Sequence, residues 1–549
     1  MVVFDTNFSV LQKYLRKKIS LKEMNDALFD MGMELSGEGE ELKAEITPDR
    51  PDMLSTQGLA RALRAYLGIQ KGLPEYKIKK ADYKIAIESS VKEVRPYTAC
   101  AVVKNIKFDN EKIKGVINIQ EKLHATYGRN RKKVAIGIYP LEKIKFPITY
   151  KALKPEEIKF QPLESDREMT ALQILQRHPT GKEYAHLLEG KKKFPVFIDA
   201  SGSIMSMPPI TNSHTTGKIT EKTTEVFIEC SGFDLEALKK LLSIIVTMFG
   251  EMGGEIYSVE LNYGSKKIIT PNLTPEKREL DVEYANKVLG SHFKPKEIIQ
   301  LLEKMQYNAV QKGQKISLLV PAFRTDIWHD VDVIDDIARA YGLNNFESTL
   351  KPVATIAETL KGTDLKKMIY ELMVGLGYQE TFTLALTNKT DQFKQMNIDE
   401  MPHIDLGVSA EKSINMVRCW LLPETIKTLA NNKDKSFPQK IFELEDIVAP
   451  NKSKDSKAEN ITKLCVLISH TNANFTELKQ VLEFITGIMG KEYSIKPTTH
   501  GSFIEGRNGI ISVDGKGIGI IGEINPQVLS NLNLAMPVAA LEIEINSLA

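Results

Sequence analysis

Residues 323–336 read FRTDIWHDVDVIDD, with aspartates at 326, 330, 332, 335 and 336 threaded among aliphatic side chains. How this stretch folds decides what must surround it. A helix that starts near Asp330 places Asp332, Asp335 and Asp336 at i, i+3 and i+4, on one face. Val333, Ile334 and Ile337 then fall on the other side and enter a core. Asp326, in the turn after the preceding strand, can fold back over the first helical turn. A helix N-terminus tolerates some negative charge, but three converging carboxylates with a fourth beside them call for a cation. Oxygen donors, with no cysteine and only His329 nearby, select magnesium or calcium. The spacing is not that of an EF-hand, since Ile334 and Asp335 stand where a ligand and a glycine belong. Magnesium is the better match, and a solvated acidic helix face is the competing reading of the same residues.

Outward from that stretch, the chain has 549 residues, too long for one core, and its length predicts about three or four domains. Lys plus Arg number 73 against 71 Asp plus Glu, so no global field points to nucleic acid or membrane, and any such contact must be a local patch. Cys100, Cys230, Cys419 and Cys465 are scattered without a CxxC pair, which argues against zinc and against a disulfide framework. The N-terminus lacks the apolar stretch of a signal peptide, and no run approaches the length of a membrane span. The expected compartment is the cytoplasm, with no membrane partner.

The patterning divides the chain into four blocks of a multidomain α+β protein. Residues 1–85 predict a small, mainly helical N-terminal α/β domain, with Ser20 and Ser55 as N-caps and Gly32 and Gly68 as stops. Residues 86–267 mix strands such as KKVAIGIY and EVFIEC with helices, an α+β domain. Within it SMPPITNSHTTGKIT has the composition of a rigid loop lined by hydroxyls and amides. Residues 268–347 predict a small helical domain around the aspartates. Residues 355–549 predict an antiparallel sheet packed with helices. There GKGIG sits in a β-like run with no following GK[ST], and predicts a hairpin rather than a phosphate loop.

AFRTDIWHDVDVIDDIARAYGLNNF resembles the magnesium-binding module of phenylalanine–tRNA ligase beta subunits. EITPDRPDMLSTQGLARALRAYLGI, MPPITNS and FELEDIV resemble other parts of the same family in the same order, so the likeness spans the chain. It is closest to the archaeal and eukaryotic type. The resemblance implies metal ligands at Asp326, Asp332, Asp335 and Asp336, with Asp330 as a helix cap and Mg²⁺ as the cofactor. It implies that residues 355–549 form a class II synthetase-like domain without catalytic residues, packed against an alpha subunit in an (αβ)2 heterotetramer. Arg418 remains where an ATP-binding arginine belongs, but no second one follows the late glycines. No aminoacylation chemistry is therefore expected in this chain; ATP-dependent attachment of phenylalanine to tRNA(Phe) belongs to the alpha subunit.

For residues 86–267 the resemblance implies an editing domain that hydrolyses mischarged Tyr-tRNA(Phe). Such a site separates tyrosine from phenylalanine by one hydroxyl, and polar groups placed for it discriminate strongly because phenylalanine leaves them unpaired. The expected pocket residues are Ser206, Asn212, Glu229 and Ser231, with Phe197 as an apolar wall. Glu229 and Ser231 replace the family's usual aspartate or glutamate and threonine conservatively. Pro140 stands where an aspartate usually follows the strand, which removes a carboxylate. Serine and asparagine in a proline-rich loop also serve turns alone. The expected tRNA contacts are Arg129, Arg131, Lys132 and Lys133, ahead of Lys191 to Lys193, with a plain lysine-rich surface as the competing reading. Two other classes compete with the subunit. A free-standing editing or tRNA-binding protein has no use for the first and fourth blocks, and a helical nucleic-acid regulator needs a basic recognition helix where this one is acidic.

Overall fold

The structure is a computed structural model that describes residues 2–350, 353–360, 362–409, 411 and 413–548. It forms two compact units, Met1–Leu350 and Lys351–Ala549. In the first unit a ten-stranded sheet carries most of the architecture. Its path runs Thr211–Asn212, Ile204–Met207, Phe194–Ile198, Ile148–Leu153, Ile78–Ile87, Glu255–Tyr263, Tyr97–Lys104, Val226–Gly232 and Val134–Pro140, with Lys266–Thr270 added beside Glu255–Tyr263. The two ends of this path meet. Tyr139 on the last strand donates a hydrogen bond to Asn212 on the first, and Arg131 donates to the carbonyl of Ile210. The sheet therefore curls to a seam, and the candidate site lies there.

One face of the sheet is covered by helix Leu235–Glu251, which starts at Asp234, whose carboxylate accepts from the amides of Glu236 and Ala237. Its apolar residues join those of residues 4–63 in one continuous core, so the first two blocks are not packed independently. Two expected boundaries fall inside strands: residue 85 lies within Ile78–Ile87 and residue 267 within Lys266–Thr270. Both strands pair into the large sheet, which moves the edges of the second block outward.

The N-terminal part has more sheet than its pattern predicts. Val2–Asn7 pairs antiparallel with Glu41–Ile46, which pairs with Glu34–Glu38. Helices Phe8–Leu15, Leu21–Asp30 and Thr56–Tyr66 pack on it, and Ser20 and Ser55 do accept from the amides of Glu23 and Gly58. The block around the aspartates is likewise not purely helical. Strands Glu276–Asp281, Lys315–Val320 and Asn308–Lys312 form an antiparallel sheet. Helices Val282–Leu289, Pro295–Lys304 and Asp330–Tyr341 bury Ile298, Leu302, Val333, Ile334 and Ile337 against it.

The second unit is built on a seven-stranded sheet in the order Gln379–Glu380, Gln439–Pro450, Ala458–Ser469, Val538–Glu544, Lys516–Ile524, Phe503–Val513, Tyr493–Pro497, antiparallel except for its first pair. Alternate residues feed two cores: Phe442, Leu464 and Val466 face helices Thr363–Gly375 and Phe475–Ile488, while Cys465 and Leu467 face helix Leu422–Asn431. The late glycines lie in the hairpin between Phe503–Val513 and Lys516–Ile524, as expected.

Candidate functional site

A cavity of about 940 Å³ opens at the seam of the first unit. Glu229 and Asn212 line it, with Glu121, His124, Arg131, Gln161, His178 and His214 around the remaining wall. Strand register explains the Glu229 end. Glu229 lies opposite Gly137, and Tyr139, two residues along, lies opposite Phe227. Because residue 137 has no side chain, the Tyr139 ring folds back across it and its one hydroxyl proton is shared between Glu229 Oε1 and Asn212 Oδ1, each 3.2 Å away. The Ser206 hydroxyl adjoins the same phenol, on a strand where Ser206 pairs with Asn212.

Three of the expected pocket residues, Ser206, Asn212 and Glu229, thus meet around Tyr139, a residue sequence reasoning missed. The signal was present in VAIGIY: strand alternation puts Gly137 and Tyr139 on one face, and only a small residue leaves room for a ring to lie back. Ser231 is set apart from the cavity, its hydroxyl accepting from Arg95 Nε at 3.1 Å. Phe197 is not a cavity wall. Its ring stacks on Tyr150 with centroids 4.3 Å apart, inside a second apolar cluster behind the sheet. The stretch SMPPITNSHTTGKIT is not a loop throughout, because Ile204–Met207 and Thr211–Asn212 pair as a hairpin.

Glu229 is almost fully buried, and among the described residues no ion pair reaches it. Burial pushes its carboxyl up to about 8, against the pull of the Arg95 guanidinium and the Tyr139 hydrogen bond. Arg95, the nearest cation acting on it, spends its hydrogen bonds on Ser231 and on the carbonyls of Ser231 and Arg131. Burial brings Arg95 itself down to about 10. Glu229 Oε2, Ser206 Oγ, His214 Nδ1, His124 Nδ1 and Arg131 Nε are buried without a hydrogen-bond partner. Glu229, His214, His124 and Arg131 line the cavity, with Ser206 behind Tyr139, and such atoms mark a polar site short of partners, which a ligand or water can supply.

Arg131 is not a surface phosphate contact. Its guanidinium is buried, donates to Ile210 O at 2.8 Å and Glu121 Oε1 at 3.1 Å, and lies 4.3 Å over the Tyr184 ring. It closes the seam instead. Arg129 and Lys132 are exposed on the same turn, and Lys133 lies half-buried over the Tyr127 ring.

The aspartates form a second site, a cleft of about 190 Å³ lined by Asp49, Asp326, Asp332, Asp335 and Asp336 together with Arg50, Arg324 and Arg339. The helix does start at Asp330. Asp330 is not its cap, however: Asp332 Oδ2 reaches back to accept from the amides of Trp328 and His329. Arg324 is buried and grips both carboxylate oxygens of Asp326, at 2.8 and 2.6 Å, and Asp336 Oδ2 at 2.8 Å. Burial works against ionisation of Asp326, yet Arg324 holds it below the usual carboxylate range. Tyr307 also donates to Asp336, and Arg339 pairs with Asp335 at 2.7 Å. Hard oxygen donors suit magnesium in kind, and five aspartates against three arginines leave two negative charges. Among the described residues no group of three or more His, Cys, Asp or Glu is placed to hold an ion, and Arg324 and Arg339 occupy carboxylates that magnesium would use.

In the second unit Arg418 is committed. It pairs with the buried Glu443 at 2.7 Å, with Thr383 Oγ1 at 3.0 Å and with the Asp446 carbonyl at 3.0 Å. No helix among the described residues is long and apolar enough to cross a membrane.

Comparison with known proteins supplies the context for these sites. Residues 347–545 match the family model described as the phenylalanyl tRNA synthetase beta chain CLM domain, and residues 278–343 match the tRNA synthetase B5 domain. The chain is 40% identical over 555 residues to the phenylalanine–tRNA ligase beta subunit of Pyrococcus abyssi, covering all of both chains. It is 39% identical to that of Thermococcus sibiricus, over 99% of this chain and 98% of the relative. A crystal structure of an N-terminal fragment of the phenylalanyl-tRNA synthetase beta-subunit from Pyrococcus horikoshii superposes with a TM-score of 0.60 at 39% identity, over 62% of this chain and 99% of that one.

Proposed function

The chain belongs to the phenylalanine–tRNA ligase beta-subunit family, and from that membership we propose that it works as the non-synthetic subunit of an (αβ)2 complex that attaches phenylalanine to tRNA(Phe). Correspondence with its relatives over the full length favours this over a free-standing editing protein. The adenylate chemistry lies with the alpha subunit, packed against the 351–549 unit. That assignment is supported by Arg418, whose guanidinium is spent on Glu443 inside the protein instead of being offered to a phosphate. Expressed alone the chain should neither exchange pyrophosphate with phenylalanine and ATP nor charge tRNA, and with its alpha subunit it should support both. Robust activation of phenylalanine by the isolated chain would overturn this.

The cavity at the seam is proposed to hydrolyse mischarged Tyr-tRNA(Phe). The observation that carries this is Glu229, a buried carboxyl on the cavity wall with one oxygen that has no partner. A tyrosine side chain supplies a donor for it; phenylalanine dries the oxygen and offers nothing. Hydrolysis needs only a positioned water beside the ribose hydroxyl, and the histidines and amides of the remaining wall are suited to hold it. In the assembled complex above about pH 8, where Glu229 is ionised, Glu229→Ala should reduce the discrimination between Tyr-tRNA(Phe) and Phe-tRNA(Phe) by about 10- to 100-fold, the worth of a hydrogen bond to a charged group. Equal selectivity in wild type and variant would exclude Glu229 as the reader. Arg129, Lys132 and Lys133 are the proposed tRNA contacts that remain at the turn.

Magnesium at the acidic cleft is a proposal supported by the donor chemistry and the two uncompensated charges, not by the present arrangement. Asp326, Asp332, Asp335 and Asp336 would hold it, with the arginines giving way; when bound, the ion would neutralise the cleft. Magnesium should then raise the melting temperature of the wild-type complex and fail to do so after Asp335→Ala. No shift in the wild type means that the arginines alone balance the cleft.

A further inference from the structure

We propose that Tyr139 decides which oxygen of Glu229 reads the incoming side chain, a positioning role that rests on the hydrolysis proposed above. Three features of the seam carry it. The first is space. A Cβ at Gly137 would stand 2.3 Å from the Tyr139 hydroxyl and 2.6 Å from Glu229 Oε1, so the pair can meet only because residue 137 is glycine. The second is direction. Burial holds the Tyr139 phenol well above its ordinary value, so it keeps its proton and acts as a donor. Its bond to Oε1 leaves Oε2 as the orphan.

The third feature is anchorage from across the seam. Asn212 Oδ1 lies 3.2 Å from the same phenol and shares its proton with Glu229, and Asn212 is itself boxed in, since a Cβ at Gly217 would lie 2.9 Å from the Asn212 Cβ. Tyr139 is therefore held from both ends of the sheet and cannot easily leave Glu229. A substrate phenol then becomes the second phenol on one carboxyl group: Tyr139 takes Oε1 and the substrate takes Oε2. Without Tyr139, either oxygen can turn inward and find other partners or water, and the penalty for a ligand without a hydroxyl falls.

Removing the Tyr139 donor also removes a bond that favours the charged carboxylate, so the Glu229 titration should move upward. The other groups that act on Glu229 are Arg95, ahead of strand Tyr97–Lys104, Cys100 on that strand and Tyr150 on Ile148–Leu153, with Cys230 and Ser231 on its own strand. None changes in a Tyr139→Phe variant, which loses a single oxygen.

The test uses the assembled complex. Tyr139→Phe should lower kcat/KM for Tyr-tRNA(Phe) deacylation about tenfold, the fold-change of one net hydrogen bond, and move the midpoint of its pH profile to higher pH. Gly137→Ala, which alters no hydroxyl, should lose selectivity in the same way. Calorimetry with non-hydrolysable tyrosyl- and phenylalanyl-adenosine amides checks the same point without turnover: the wild type should prefer the tyrosyl compound and Tyr139→Phe should not. If Glu229→Ala abolishes selectivity while Tyr139→Phe keeps rate, pH midpoint and preference, this proposal fails and the editing assignment stands. A faster Tyr139→Phe enzyme also overturns it, since the phenol would then be competing with substrate. A wild type that neither deacylates Tyr-tRNA(Phe) nor prefers the tyrosyl compound sinks both.

Discussion

The acidic cleft and the seam cavity treat buried carboxylates in opposite ways. In the cleft, the largely buried Asp326 and Asp336 sit against Arg324, and the exposed Asp335 against Arg339, so three of the five carboxylates crowded there are paired in space. In the cavity the buried carboxyl of Glu229 has no ion pair among the described residues, and burial raises it to about 8. The difference shows that crowding along a chain says little about electrostatic stress. The isolated acid is the stressed one, and stressed groups gather at functional sites.

The largest effect that would break this contrast is on Arg324. Arg324→Met leaves Asp326, Asp336 and Tyr307 without the guanidinium that bonds the two carboxylates, with only Arg50, itself paired with Asp52, nearby, and should cost about 3–5 kcal/mol in denaturant unfolding of the first unit. A loss under about 1 kcal/mol would mean the arginine is not what balances the cleft.

Glu229 predicts the reverse sign. Its folded value lies above its unfolded one, so its contribution to stability is complete below about pH 4.5 and is lost progressively as pH rises to about 8. Glu229→Gln should therefore stabilise the first unit at pH 7 by up to roughly 3 kcal/mol, and the gain should vanish near pH 4. Destabilisation at pH 7 would show that the carboxylate is satisfied in a way the geometry does not reveal.

A smaller effect separates the basic residues. Lys132→Ala should lower the salt dependence of tRNA binding by about one phosphate contact, a slope change of ~0.9 for duplex or ~0.7 for single strands. Arg131→Ala should leave that slope unchanged while loosening the seam. An Arg131→Ala slope change as large as that of Lys132→Ala would make Arg131 a phosphate contact. The smallest effect is at Asp330, which caps nothing and pairs with nothing described; Asp330→Asn should leave the melting temperature of the complex unchanged.

What could be read from the chain follows the range of the interactions. The caps at Ser20 and Ser55, the helix from Asp330 and the hairpin at Gly515 each rest on contacts within a few residues, and were legible. The seam was not. Tyr139 reaches Asn212 across 73 residues and Glu229 across 90, and no local pattern shows that the first and last strands of a curled sheet will meet. Residue type announces a phosphate contact at Arg131 and an apolar cavity wall at Phe197, while closure of the sheet buries Arg131 in the seam and strand pairing sends Phe197 to the opposite core, onto Tyr150. Arg324 teaches something else. It stands two residues before Asp326, inside the very stretch that raised the question of a counter-ion, and a guanidinium answers crowded carboxylates as readily as a metal does.

The central claim is that Glu229 reads its ligand at the seam, and the pH dependence of Tyr-tRNA(Phe) deacylation tests it most directly. Corrected for spontaneous ester hydrolysis, the wild-type complex should show a limb that rises through about pH 8 as Glu229 ionises. Glu229→Gln should lack that limb while its phenylalanine charging continues. An identical pH profile in the two proteins would contradict the account.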